Sequence, residues 1–134
     1  MMRFQEKSTF PSGAARVLLP FAALLQDISR VLEDVPGIIE VDGHTDDVPI
    51  SGSRYASNWD LSAVRASSVA KVLLSDSGLE LQRLVVRGFA DTRPLADNRS
   101  AEGRARNRRV EIAIDLGESD APRGTIGFRE LSVG

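Results

Sequence analysis

Between Ala14 and Asp115 the apolar residues switch back and forth between a helical and a strand spacing, and this alternation restricts the fold more than any other feature. From Ala14 to Val35, the residues Val17, Leu18, Phe21, Leu24, Leu25, Ile28, Val31 and Leu32 recur about every 3.6 positions, the mark of an amphipathic helix. Pro20 lies early in that run and either kinks the helix or marks its true start. Pro36-Gly37 ends it. Ile38-Ile39-Glu40-Val41-Asp42-Gly43, with its β-branched residues, reads as a strand. Ser57 with Asp60 resembles a capping box and opens a second helix, whose stripe is Leu61, Val64, Val69, Val72 and Leu73. Leu84 to Phe89 is a further strand, Ala101 to Arg106 a short helix, and Arg109 to Asp115 alternates apolar with polar as a half-buried strand does. Arg3-Phe4-Gln5 adds a short strand at the start.

The order strand, helix, strand, helix, strand, short helix, strand predicts an α/β (α+β) two-layer sandwich. Its layout is βαβαβ(α)β, with helices on one face of a mixed sheet. With 134 residues the chain has room for one modest core. Residues 1–13 are an N-terminal strand and loop leading into the domain, 14–115 the domain itself, and 116–134 a polar, Gly-rich tail expected to be loosely ordered.

Charge and residue usage exclude several functions. The net charge is −2, so no overall field calls for a polyanionic partner. Acids gather in residues 27–60 and arginines in 83–109, a dipole that two solvated faces explain. Nucleic acid is not expected, because aromatic residues are 5% of the chain and the arginine strip lacks stacking partners. Without cysteine there is neither a disulfide nor a thiol nucleophile nor a zinc-thiolate site. The longest apolar run, Val17 to Leu25, is too short to span a membrane, and Pro20 interrupts it. The N-terminus lacks a basic region leading into an apolar one, so no signal peptide is read. Any targeting or membrane segment is expected to lie outside this stretch of chain.

Catalysis is not expected either. His44 is the single histidine, and any serine nucleophile would need it as base; no G-x-S-x-G elbow is present. Asp42, Asp46 and Asp47 flank His44, but no second imidazole completes a metal site. No metal, cofactor or catalytic residue is assigned. What remains is a site for a small zwitterion. The loop from His44 to Ser57 is long and follows a strand, a common place for function. An acid there and an arginine on the next helix can face one cavity, the acid taking an ammonium and the guanidinium fork a carboxylate. The alternative, that Arg65 only pairs with Asp60 or Asp47 on the surface, stays open on these grounds.

Three motifs narrow the choice: Val41-Asp42-Gly43-His44-Thr45-Asp46, then Asn58 through Leu73 reading N-x-x-L-S-x-x-R-A-x-x-V, then Gly88-Phe89-Ala90-Asp91 leading to Arg104 through Ile112. Together they resemble the OmpA-like, peptidoglycan-binding family over about residues 3–115. Gly43 through Ile50, the insertion before Asn58 and Phe10-Pro11-Ser12-Gly13 resemble its flagellar stator branch, the MotB type.

The resemblance implies a ligand, the peptidoglycan stem peptide with its diaminopimelate residue. By motif position it implies Asp46 for the ammonium, Arg65 for the carboxylate, and Asn58 and Leu61 as the wall of the site. It implies backbone contacts and shape from Thr45 and Asp47, and Arg109 near the pocket. It further implies a periplasmic homodimer that anchors a motor to the cell wall. A MotA-like membrane partner and an inner-membrane helix would belong to the full-length protein. Other anchors in the family, such as lipoproteins and secretion-system components, stay open, as does a metal-assisted wall hydrolase at Asp42, His44 and Asp46. On this reading Asp46→Asn and Arg65→Ala each abolish wall binding and spare the fold, since neither residue lies on an apolar stripe.

Overall fold

The computed structural model describes residues 1–50 and 54–117. Four strands form one mixed sheet: β1 (Met2–Gln5), β2 (Ile38–His44), β3 (Leu84–Gly88) and β4 (Arg109–Asp115), in the order β1-β4-β2-β3. Both β1 and β2 run antiparallel to β4, while β2 and β3 run parallel. Among the described residues three α-helices join them: α1 (Leu19–Glu33), α2 (Asn58–Leu74) and α3 (Ala101–Asn107). The parallel pair needs a crossover, and α2 supplies it, packed on both β2 and β3. This is the expected two-layer fold. Most of the expected 116–134 tail lies outside the described residues.

Strand alternation divides the sheet into two unlike faces. Ile39 and Val41 on β2, with Val110 and Ile112 on β4, point toward the helices and are buried. Phe21, Leu25 and Leu32 of α1 and Ala66, Val69 and Leu73 of α2 close the core over them. The opposite face carries charge: Arg87 bonds both Asp42 and Glu40, and Glu111 bonds both Arg3 and Arg109.

Pro20 marks the start of α1, sitting in the first turn where its missing N–H leaves no bond unmade. Residues 14–18 are therefore not helical; Leu18 donates its amide to the Thr9 carbonyl at 2.9 Å. The expected stripes are also narrower than drawn. Leu24 and Val31, seven positions apart on α1, are exposed, as is Val64 on α2. A helix lying on one layer buries only the side it turns to that layer, so 3.6-spacing alone overcounts. Ser57 caps α2 as expected, its hydroxyl accepting from the Asp60 amide.

Candidate functional site

The cleft is built at the end of the sheet where β2 and β3 finish. Gly43 on β2 and Gly88 on β3 are Cα partners, and both lie under the first turns of α2. A β-carbon on Gly43 would come within 2.1 Å of the Ser62 carbonyl oxygen, and one on Gly88 within 2.6 Å of the Ala63 nitrogen. Only glycine lets the helix backbone rest on the strands this closely. Ser62 then ties the parts together, donating to the Trp59 carbonyl and accepting from the Ala90 amide at 3.1 Å. The consequence is that the start of α2 stands directly beside the loop after β2.

Asp46 sits in that loop and is only 7% exposed. One carboxylate oxygen accepts from the Val48 amide at 3.1 Å. Thr45 fixes the approach, its amide donating to the Ala90 carbonyl and its hydroxyl to the Asp46 carbonyl, both at 2.8 Å. Asn58, at the start of α2, donates to the carbonyls of Val48 and Asp46 and so pins the far side of the loop. Leu61, buried one turn on, adds an apolar wall.

Arg65 enters from α2 and is 3% exposed. Its Nε donates to the Ala14 carbonyl at 2.7 Å and one Nη to the Pro11 carbonyl at 3.2 Å. The same nitrogen lies 2.8 Å from Glu6, and the guanidinium stacks over the Phe10 ring. Burial lowers the Arg65 pKa, and the Glu6 carboxylate works against that fall. Arg65 pairs with neither Asp60 nor Asp47. It is also a clamp on the segment before α1, so Arg65→Ala removes structural bonds as well as a candidate ligand contact.

Glu6 and Arg108 are the residues that sequence reasoning missed. Arg108 donates to Asp46 at 2.7 Å and to Glu6 at 2.9 Å. Partial burial works against its charge, but the bond to Asp46 and the charge of Glu6 outweigh it and raise the pKa. Asp46, Arg108, Glu6 and Arg65 thus form a chain of alternating charge along a cleft of about 490 Å³, with Thr45, Asn58 and Leu61 also in its walls.

Two expected site residues lie elsewhere. Arg109 is buried on the sheet face away from α1 and α2, bonded to Glu111 and to the carbonyls of Asn107 and Arg93. Adjacent residues entering a strand point to opposite sides, so Arg108 reaches Asp46 and Arg109 turns away. Asp47 is exposed and does not line the cleft. Arg108 was within the motif, and its one-residue offset from the β4 alternation was the available signal; for Glu6 there was none.

His44 is buried on the same sheet face as Arg109. Its ring stacks on Phe89 with centroids 5.2 Å apart, and neither nitrogen has a hydrogen-bond partner among the described residues. Burial, then the Arg109 charge, push its pKa down to about 4. Asp42, His44 and Glu111 bring one donor atom each within 4.8 Å of one another. Both carboxylates are already held by guanidiniums, and the Arg109 charge acts on the imidazole more strongly than Glu111 does. Such surroundings disfavour an added cation.

The model of the OmpA family matches residues 9–108. Motility protein B of Bacillus subtilis (strain 168) is 35% identical over 131 residues, covering 97% of this chain and 48% of that protein. Among solved structures, the periplasmic domain of Helicobacter pylori MotB superposes with a TM-score of 0.79 at 29% identity, covering 88% of this chain and 76% of that one. The cell wall anchor of the T6SS from Pseudomonas aeruginosa superposes with a TM-score of 0.77 at 45% identity, covering 84% and 78%. This chain spans about half the length of the first two curated relatives it matches, 46% and 48%.

Proposed function

Because the chain belongs to the OmpA family, we propose that its cleft holds peptidoglycan non-covalently, through the ammonium and carboxylate of a diaminopimelate residue in the stem peptide. The observation that carries this reading is that Asp46 and Arg65, opposite in charge and both buried, line one cleft. Asp46 takes the ammonium, Arg65 takes the carboxylate, and Asn58, Leu61 and Thr45 shape the walls. Charged hydrogen bonds of this kind contribute roughly 1.5–3 kcal/mol each, so holding is reversible and no bond is made or broken. Arg109 and Asp47 lie outside the cleft and are not assigned a ligand contact.

The wider role is that of a periplasmic wall anchor for a MotB-like stator. In that role the protein works as a homodimer, with a MotA-like partner and an inner-membrane segment in the full-length protein. Similarity to a motility protein over almost the whole chain supports this. The 45% identity to a secretion-system wall anchor favours a second reading, the same grip serving a different machine.

Co-sedimentation with purified peptidoglycan sacculi tests the grip. Asp46→Asn keeps a carbonyl oxygen for the Val48 amide but removes the charge, so its fold is expected to persist. Wild type should pellet and Asp46→Asn should stay in solution. If a variant that melts like wild type pellets equally well, the cleft is not the wall-binding site.

A further inference from the structure

The chain of charge in the cleft has a second meaning, which rests on the proposed ligand. Asp46 and Arg65 do not face an empty space. Asp46 already holds the Arg108 guanidinium at 2.7 Å, and Arg65 already holds the Glu6 carboxylate at 2.8 Å. Glu6 and Arg108 hold each other at 2.9 Å. A cation on Asp46, an anion on Arg65 and the two joined together is the arrangement that the ammonium and carboxylate of an amino acid would present.

We propose that Glu6 and Arg108 are an internal stand-in for the ligand's zwitterion, and that they set the selectivity of the cleft. The backbone supports an exchange confined to side chains. The Glu6 amide donates to the Arg108 carbonyl at 2.9 Å, and the Glu6 carbonyl accepts from the amides of Thr9 and Phe10. Both residues are thereby fixed at the main chain, while their side chains stay partly exposed at 14% and 32%. When a ligand supplies both charges, Glu6 and Arg108 let go of Arg65 and Asp46 and keep each other.

Selectivity follows from what each residue repels. A carboxylate without an ammonium that comes to Arg65 meets the Glu6 carboxylate beside it, with no new positive charge to offset the repulsion. An amine without a carboxylate that comes to Asp46 meets the Arg108 guanidinium in the same way. Only a group carrying both charges replaces the pair with the local charge unchanged. Discrimination built from repulsion of this kind is a common source of specificity.

Titration calorimetry with three related probes tests this: meso-diaminopimelate with both kinds of charge, pimelate with the same seven carbons and carboxylates alone, and 1,5-diaminopentane with the same spacing of nitrogens and ammoniums alone. Wild type should prefer diaminopimelate. Glu6→Gln should tighten pimelate about tenfold relative to diaminopimelate, and Arg108→Gln should do the same for 1,5-diaminopentane, a shift of about 1.4 kcal/mol in each case. The two variants lose different charges, so a fold defect in one leaves the other to decide, with thermal melts checking both. If wild type binds diaminopimelate selectively and neither variant changes the ratios, the stand-in is overturned and the wall-binding reading stands. If wild type binds none of the probes, both readings fall.

Discussion

Gly43 and Gly88 lie side by side across the parallel strands β2 and β3, and the Ser62–Ala63 backbone occupies the space their β-carbons would fill. The two glycines belong to different motifs, 45 residues apart in sequence. Their shared task is to let α2 descend onto the sheet, which brings Asn58, Leu61 and Arg65 to the loop that carries Asp46.

Gly43→Ala should therefore cost both stability and binding. A methyl group forced to within 2.1 Å of a carbonyl oxygen lifts the first turns of α2, since neither backbone can yield cheaply. Overpacking of this kind costs about 1–3 kcal/mol, and more where backbone blocks relaxation. Urea unfolding checks it: an unchanged midpoint for Gly43→Ala would show that α2 does not rest on the Gly43 backbone.

Arg65→Ala should destabilise the protein by about 3 kcal/mol as well as end binding. It strips the Ala14 and Pro11 carbonyls of their donor and leaves the partly buried Glu6 with Arg108 alone. Arg65→Ala,Glu6→Gln should recover part of that loss, because the orphaned charge is gone. Additive losses in a double-mutant cycle would argue against the coupling.

Asn107→Ala should loosen the segment between β3 and α3. The Asn107 side chain is fully buried; its oxygen accepts from the Leu95 and Ala96 amides, and its nitrogen donates to the Ala96 carbonyl and Asn98. Losing these partners costs roughly 2–3 kcal/mol. Amide exchange should quicken first at Leu95 and Ala96; unchanged protection there would refute the role.

His44 predicts how stability depends on pH. Its pKa is 6.5 in the unfolded chain and about 4 in the fold. Above pH 6.5 it is neutral in both states and has no effect. As pH falls from 6.5 toward 4, only the unfolded state takes the proton, so the fold loses up to about 3 kcal/mol. Between about pH 7.5 and 4.5, wild type should lose about 2 kcal/mol more stability than His44→Asn. Equal losses would mean that His44 titrates normally.

Much of this is legible in the sequence. The strand and helix order, the Ser57 cap, the end of α1 ahead of Pro36-Gly37 and the β4 span all follow from interactions a few residues apart, where spacing and backbone preference decide. The motifs likewise pointed to Asp46, Asn58, Leu61 and Arg65, and the structure brings these four to one cleft. Leu24, Val31 and Val64 share the helical spacing yet are exposed, because spacing marks a face without saying how much of it a neighbour covers.

What the chain's sequence determined by itself is thus the local structure, the family and the positions of an acid and an arginine that can face each other. What only the tertiary structure decided is what those two charges meet. Glu6 reaches Arg65 across 59 positions, and Arg108 reaches Asp46 across 62. Pairing at that range depends on how folding places the end of β1 and the start of β4 relative to α2 and the loop after β2. A carboxylate and a guanidinium each have many possible partners in sequence, and folding brings only a few of them within hydrogen-bond distance.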